Sequence, residues 1–248
     1  MTAIIATRSE KFSIIISDTR ENSEDGSSYK DGVYKLRYIP RIGFISGAGL
    51  VDFLDMVKEE VINKRKISSI VEFSEMFDAT VKKVKNNVNE HERELVDNSY
   101  IVIHVLYELD NNLEYYSMFL SNSYINKENE GSNGFIIDKG QIRVIYPKDL
   151  VEKEKTFQEI AERVNKKNTV DLNINQALLE TIRIFTEITR NSEQVSSDCQ
   201  IGIQYYNDLT KENHTEGLYG DAEKFLELAL RNKLVKKFRT VESLQQFK

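Results

Sequence analysis

Cysteine is almost absent: Cys199 is the single cysteine among the 248 residues of the chain. One cysteine excludes an intramolecular disulfide and a cluster of thiolate metal ligands within the chain. We therefore expect a cytoplasmic protein in which Cys199, on a core strand, is a small buried apolar residue. The sequence also has only two prolines and no internal repeat, low-complexity segment or Pro-rich linker. These absences favour one domain over two.

Long apolar runs and an excess of positive charge are missing too. The longest apolar runs have about four residues, as at 100–103, whereas a helix that spans a membrane needs about 20. The first residues lack the basic stretch and the apolar core of a signal peptide, so we expect them to remain in the mature protein. The net charge is −6, which leaves no chain-wide positive field to attract nucleic acid or anionic lipid. We expect neither nucleic acid nor a membrane as a partner.

What the sequence does contain is typical of a folded globular protein. Hydrophobic residues make up 40% of the chain and charged residues 30%, a balance that distinguishes it from disordered sequences. The length allows a large core. We expect a single domain over residues 1–248, with 207–248 as a C-terminal helical extension.

The apolar periodicity predicts an alternation of strands and helices. The second strand is apolar at nearly every position, which is typical of a strand covered on both faces. Helix pairs that alternate with blocks of hairpin-linked strands indicate antiparallel sheets with helices on their outer faces. The predicted fold class is therefore α+β, as a four-layer αββα sandwich. The predicted strands are 3–7, 12–17, 33–39, 42–46, 100–107, 113–120, 135–138, 141–146 and 199–205, with a polar loop over 21–32, and the predicted helices are 50–61, 73–88, 150–164, 177–190 and 221–237.

Thr2 is the first candidate for chemistry. Removal of Met1 would leave a threonine whose free α-amine lies beside its own hydroxyl. The pKa of an α-amine is about 7.7 to 8.0, so the amine can act as a general base at neutral pH and activate Oγ1 as a nucleophile. One residue would then supply both the nucleophile and its base.

Four segments that begin at Thr2 carry a resemblance to a known family. They are T-A-I-I-A-T at the start, F-S-I-I-I-S-D-T-R in the second strand, V-Y-K-L in the third and I-G-F-I-S-G-A-G-L in the fourth. The sequence over residues 2–62 resembles the proteasome β-subunits and their simpler bacterial relatives, members of the N-terminal-nucleophile hydrolases, and as far as about residue 205 the likeness is one of architecture. The resemblance implies the αββα fold and the catalytic set Thr2, Asp18, Lys35 and Gly47.

The resemblance also implies a role for each residue of this set. A cationic Lys35 would lower the pKa of the Thr2 hydroxyl and amine, and Asp18 would hold Lys35 and balance its charge. The amide of Gly47 would form the oxyanion hole, with Gly49 as the alternative. Lys30 is the less favoured alternative to Lys35, because it lies in the polar stretch.

Further candidates support the site or replace parts of the family pattern. Arg20 follows Asp18 closely. Where family members carry a Gly/Ser-rich turn with a serine near the nucleophile, this chain has the serine-free segment 144–149. The family's Asp-x-x-Ser motif corresponds loosely to 191–198, where Glu193 with Ser196 or Ser197 would take its place.

The predicted function is a threonine-type peptidase or amidase that needs no cofactor. The resemblance implies a peptide or protein substrate, a ring-forming homo-oligomer and an ATP-dependent unfoldase as partner. Two alternatives remain: a non-catalytic relative that serves as an assembly or binding module, and an amidohydrolase that acts on a small molecule. His91, His104 and His214 share no ligand spacing, so no metal site is predicted.

Overall fold

A computed structural model describes residues 2–23, 27–40, 42–64, 70–109, 112–121, 133–207 and 209–240. The strands are β1 (Ile4–Arg8), β2 (Phe12–Asp18), β3 (Glu21–Asn22), β4 (Tyr29–Lys30), β5 (Arg37–Ile39), β6 (Gly43–Ala48), β7 (Tyr100–Leu109), β8 (Asn112–Ser121), β9 (Asn133–Ile136), β10 (Ile142–Ile145), β11 (Asp198–Asn207), β12 (Glu212–Asp221) and β13 (Arg239–Thr240). The helices are α1 (Val51–Lys64), α2 (Ile70–Lys85), α3 (Glu90–Asp97), α4 (Lys148–Val151), α5 (Glu154–Lys166), α6 (Ile174–Asn191) and α7 (Ala222–Leu230).

Two antiparallel sheets organise the chain. The first has the strand order β10-β1-β2-β11-β12-β13, and the second has the order β5-β6-β7-β8-β9. A separate ribbon pairs β3 with β4. The prediction of a mixed α+β protein with antiparallel sheets is therefore confirmed.

Three clusters of buried apolar side chains hold these elements together. One packs α5, α6 and α7 against a face of the first sheet, and another packs α1 and α2 against the second sheet. The third contains Ile4, Ala6 and Ile15 of the first sheet together with Phe44 and Val102 of the second. Because β2 contributes to clusters on both of its faces, all seven of its residues are buried, as its continuous apolar sequence predicted.

The two sheets approach closely at Gly202 of β11. A Cβ at this position would lie 2.7 Å from ring atoms of Phe44 on β6. Only glycine leaves enough room for that ring without a shift of the backbone. Gln200 and Gln204, which lie on the same face of β11 as Gly202, are both buried.

Several predicted elements are wrong in detail. The predicted strand 33–39 is reduced to Arg37–Ile39, so Lys35 precedes the strand. The segments 135–138 and 141–146 do not form a hairpin, because β9 pairs with β8 and β10 pairs with β1. The loop 21–32 contains the β3–β4 ribbon, the predicted helix 150–164 is divided into α4 and α5, and α3 was not predicted.

The C-terminal segment also differs from its prediction. Residues 207–248 were expected to form a helical extension, but β12 pairs with β11 over ten residues and belongs to the first sheet. The predicted helix 221–237 ends at Leu230, and Asn232, with φ of 53°, separates it from a short 3-10 turn at Val235–Lys237. Within the described residues, no helix combines the length and hydropathy needed to cross a membrane.

Candidate active site

The hairpin of β1 and β2 brings the start of the chain next to Asp18. Ile4 pairs with Ser17 in the ladder, and the ladder continues one step further, where the Asp18 amide donates to the Ala3 carbonyl at 3.1 Å. The Ala3 amide in turn donates to Asp18 Oδ1 at 3.0 Å. Thr2 is buried at this end of the sheet. The register of one hairpin thus determines the distance between Thr2 and the Asp18 carboxylate.

Lys35 connects Thr2 with Asp18. Its Nζ donates to Thr2 Oγ1 at 3.0 Å and lies 3.1 Å from each carboxylate oxygen of Asp18. The Lys35 side chain is only 11% exposed, and that of Asp18 is fully buried. The three residues that the sequence placed in one site therefore meet in the structure. Lys30 lies on β4 and is exposed.

Burial opposes the charge on both members of the ion pair. It raises the pKa of Asp18, and this shift is opposed by Lys35 and by the backbone amides of Arg20 and Ala3. Burial lowers the pKa of Lys35, and the Asp18 carboxylate opposes that shift. A lysine with a lowered pKa exchanges its proton more readily near neutral pH than an exposed lysine does. Such a pair in a closed site is typical of functional positions.

A charged Lys35 has a specific effect on Thr2. An ammonium group only donates hydrogen bonds, so Thr2 Oγ1 acts as the acceptor in this contact. A donor at 3.0 Å stabilises an oxygen that loses its proton. The arrangement can therefore activate the Thr2 hydroxyl, given a base that removes its proton.

Two buried serines join the first sheet to the second beneath the site. Ser46 Oγ on β6 donates to Ser17 Oγ on β2 at 3.1 Å, and both residues are fully buried. Ser17 is next to Asp18, and Ser46 is next to Gly47. Sequence reasoning missed this pair, although polar residues inside two otherwise apolar strands were a signal for it.

The two candidate glycines differ in their backbone. Gly49 has φ of +134°, and a Cβ there would lie 2.0 Å from Ser99 Oγ, so Gly49 is required by the turn that leads into α1. Gly47 lies within β6, and a Cβ there would lie 2.8 Å from the Tyr100 carbonyl oxygen. The structure therefore gives each glycine a steric reason that is independent of catalysis.

The Arg20 side chain joins the loop after β2 to the segment after α6. Its guanidinium group forms a bidentate pair with Asp31 at 2.8 and 2.9 Å and lies 3.9 Å from the ring centroid of Tyr29. It also donates to the Glu193 carbonyl at 2.6 Å. The hydrogen bond from Arg20 lowers the pKa of Asp31. The backbone amide of Arg20 donates to the Asp18 carboxylate at 2.9 Å. The Arg20 side chain makes its contacts with Asp31, Tyr29 and Glu193, so its role is to hold these segments together.

Among the described residues, the candidate side chains of the segment after α6 form no hydrogen bond with Thr2. Glu193 is exposed, and its amide donates to Asp149 Oδ2 at 2.9 Å. Ser196 is buried, and its hydroxyl accepts from the Asp198 amide at 3.0 Å. Ser197 is exposed, and its carbonyl accepts from the Ala222 amide. These hydrogen bonds thus join the segment to α4 and to the start of α7 and close a turn before β11.

Cys199 lies beside this site in the backbone, because it pairs with Asp18 in the ladder between β11 and β2. The Cys199 thiol is buried, and burial raises its pKa, which makes it a poor nucleophile. The His214 ring stacks on Tyr205 at 5.2 Å, and the side chain of His104 lies outside the described part of the chain. In that part, no group of three or more His, Cys, Asp or Glu residues could hold a metal ion.

A cleft of about 370 Å³ lies elsewhere on the surface. It is lined by the β1–β2 turn, by residues 170–174 before α6 and by Tyr205 and Tyr206. Thr2 and Asp18 lie at the opposite end of the same hairpin. The cleft is therefore separate from the Thr2 site.

Two comparisons with known proteins bear on this site. No protein-family model matches the chain, and no curated protein matches it significantly. The site is therefore interpreted from its own geometry.

Proposed function

We propose that the chain is a threonine-type N-terminal-nucleophile hydrolase that cleaves amide bonds in peptides or proteins. The observation that carries this proposal is the position of Lys35 Nζ, 3.0 Å from Thr2 Oγ1 and 3.1 Å from both oxygens of Asp18. The proposed fold is the four-layer αββα sandwich. Helix clusters on one face of each sheet, and a third cluster shared by the two sheets, support this layering.

The proposed reaction begins with removal of Met1, which frees the α-amine of Thr2. This amine takes the hydroxyl proton as Oγ1 attacks the substrate carbonyl carbon. The charged Lys35 stabilises the Thr2 oxygen, and the Gly47 amide is proposed to bind the oxyanion. Collapse of the tetrahedral intermediate breaks the C–N bond, and the leaving amine takes the proton from the α-amine. The product of this half is an ester on Thr2 Oγ1.

Water completes the cycle. The α-amine removes a proton from the water as its oxygen attacks the ester carbonyl. The C–O bond to Thr2 then breaks, and Oγ1 recovers its proton. No cofactor takes part in the proposed reaction. From the resemblance of residues 2–62 to the proteasome β-subunits, we also propose a cytoplasmic ring of identical subunits served by an ATP-dependent unfoldase.

A non-catalytic assembly or binding module is the second candidate. It is favoured by the bonds of Glu193, Ser196 and Ser197, which are made to Asp149, Asp198 and Ala222 and not to Thr2, so that Thr2 has no serine partner among the described residues. In this case the Lys35–Asp18 pair would be a structural ion pair. Covalent labelling of the nucleophile distinguishes the two candidates.

Labelling with a β-lactone tests the proposed nucleophile without a known substrate. A β-lactone acylates an activated hydroxyl, so we expect one adduct per chain, located at Thr2 by peptide mass spectrometry. Thr2→Ala should remain unlabelled. Thr7→Ala, which removes another buried hydroxyl in the same hairpin, should be labelled like the wild type. An adduct spread over several exposed residues, or none at all, would favour the non-catalytic candidate.

A further inference from the structure

Gln200 makes a bidentate contact with the backbone next to Lys35. The Leu36 amide donates to Gln200 Oε1 at 3.0 Å, and Gln200 Nε2 donates to the Leu36 carbonyl at 3.3 Å. Gln200 lies on β11 in the first sheet, is only 4% exposed, and crosses to the segment that leads into β5 of the second. A buried amide without such partners would be destabilising. Both polar atoms of the Gln200 side chain form hydrogen bonds with the backbone of Leu36.

This contact replaces a strand ladder where the chain has none. Strand β5 begins only at Arg37, so the backbone of Leu36 has a side chain as its partner. On the other side of Lys35, the Val33 amide donates to the Thr19 carbonyl at 2.9 Å. Lys35 is thus held between two anchor points, and Gln200 supplies the nearer one.

Strand β11 also supports the carboxylate of Asp18. Cys199, the neighbour of Gln200, pairs with Asp18 in the ladder between β11 and β2. Strand β11 therefore fixes Asp18 through its backbone and Lys35 through the Gln200 side chain. Because a hydrogen bond depends on both its distance and its angle, a displacement of Leu36 would weaken the contact of Lys35 Nζ with Thr2, which is 3.0 Å long.

We propose that Gln200 is a positioning residue that sets the location of Lys35 Nζ relative to Thr2 and Asp18 through the Leu36 backbone. The consequence for catalysis rests on the proposed hydrolase function. The consequence for Lys35 itself does not, and it can be measured in the absence of any substrate.

Gln204 offers a matched control on the same strand and the same face. It is also buried, and its Nε2 donates to the Ile42 carbonyl at 3.5 Å, the long end of the range for a hydrogen bond. Its Oε1 has no hydrogen-bond partner among the described residues. Replacement of either glutamine by methionine exchanges the amide group for an apolar group of similar size. Only the replacement of Gln200 removes the hydrogen bonds to Leu36.

The test compares Gln200→Met with Gln204→Met in the full chain. In Gln200→Met the Leu36 amide loses its acceptor, so we expect its hydrogen exchange to accelerate at least about 10-fold. We expect competitive acetylation of Lys35, followed against pH by mass spectrometry, to report a pKa closer to the ordinary lysine value. Gln204→Met should leave both quantities as in the wild type. An unchanged Leu36 exchange rate, or an unchanged Lys35 profile, would overturn the proposal.

The kinetic constants of Gln200→Met test the consequence for catalysis. Once a peptide that the wild type hydrolyses is known, Gln200→Met should lower kcat for it by about 10-fold to 100-fold, because a displacement near 1 Å has an effect of this size. KM should stay within about threefold of the wild-type value. If the wild type hydrolyses nothing, the proposed function fails while exchange and acetylation still decide the role of Gln200. If Gln200→Met does not fold, Gln200→Asn shortens the side chain by one methylene group, adds no charge beside Lys35 and should shift the Lys35 profile in the same direction. A wild-type Lys35 profile in that variant would also contradict the proposal.

Discussion

Replacement of Thr2 by alanine is expected to lower kcat/KM by about 1,000-fold or more while the fold is retained. Loss of a nucleophile leaves only the residual rate that substrate binding and the oxyanion donors supply. Thr2→Ser keeps a hydroxyl and an α-amine and should retain measurable hydrolysis. The rates are measured with a peptide substrate at equal folded concentrations, verified by circular dichroism.

Thr7→Ala separates stability from catalysis in this experiment. Thr7 is a buried threonine of the same hairpin, and its hydroxyl contacts the Gln141 carbonyl and Thr169 Oγ1 at 3.0 and 3.1 Å. Its removal should destabilise the protein by about 1 to 2 kcal/mol, because a buried partner loses its hydrogen bond, and should leave kcat within a few fold. Hydrolysis by Thr2→Ala at the wild-type rate would contradict the nucleophile assignment.

Replacement of Lys35 by methionine is expected to lower kcat/KM by about 100-fold or more. The variant keeps Thr2 but removes the charge that stabilises its oxygen. Lys58→Met is the control for loss of a buried lysine, because Lys58 pairs with Asp55 on its own helix, at 3.2 Å, and makes no hydrogen bond to Thr2 among the described residues. Burial lowers the pKa of Lys58, and the charge of Lys35 adds to that shift, so the control removes a charge that repels Lys35 and leaves Lys35 in place. Lys58→Met should hydrolyse the substrate at close to the wild-type rate.

The same variant should change the dependence of stability on pH. Burial raises the pKa of Asp18, and loss of Lys35 removes the largest opposing influence. An acid with a raised pKa binds more protons in the folded state than in the unfolded state, so the free energy of unfolding falls as pH rises through that window. Urea unfolding should therefore show Lys35→Met further below the wild type at pH 8 than at pH 5. An equal difference at both pH values would indicate that Asp18 is not the group that Lys35 balances.

The set Thr2, Asp18 and Lys35 was expected from the resemblance of residues 2–62 to the proteasome β-subunits, and local pattern explains only where two of its members lie. The continuous apolar run of β2 indicates a central strand, and Asp18 at its end follows from where that run stops. The hairpin then places Thr2 and Asp18 together, because the register of a short turn is strongly constrained. Lys35 was predicted to lie on a strand, but its segment precedes β5 because Gln200 takes the place of a strand partner.

Contacts between segments that are distant in the chain could not be predicted from local pattern. Strand β12 has two glycines and many polar residues, and its strand conformation comes from pairing with β11. Strands β9 and β10 flank a turn that resembles a hairpin, yet β9 pairs with β8 in the second sheet and β10 pairs with β1 in the first. The Ser17–Ser46 pair joins residues 29 positions apart in sequence. Each of these features depends on tertiary pairing that overrides local propensity.

The mass of the N-terminal peptide of the purified protein tests the central claim most directly. Thr2 can use its own amine as a base only when Met1 has been removed, because an amide nitrogen is not basic. We expect the chain to start at Thr2 with a free α-amine. A chain that uniformly retains Met1 would leave the hydroxyl without its base and would contradict the assignment of Thr2 as a self-activated nucleophile.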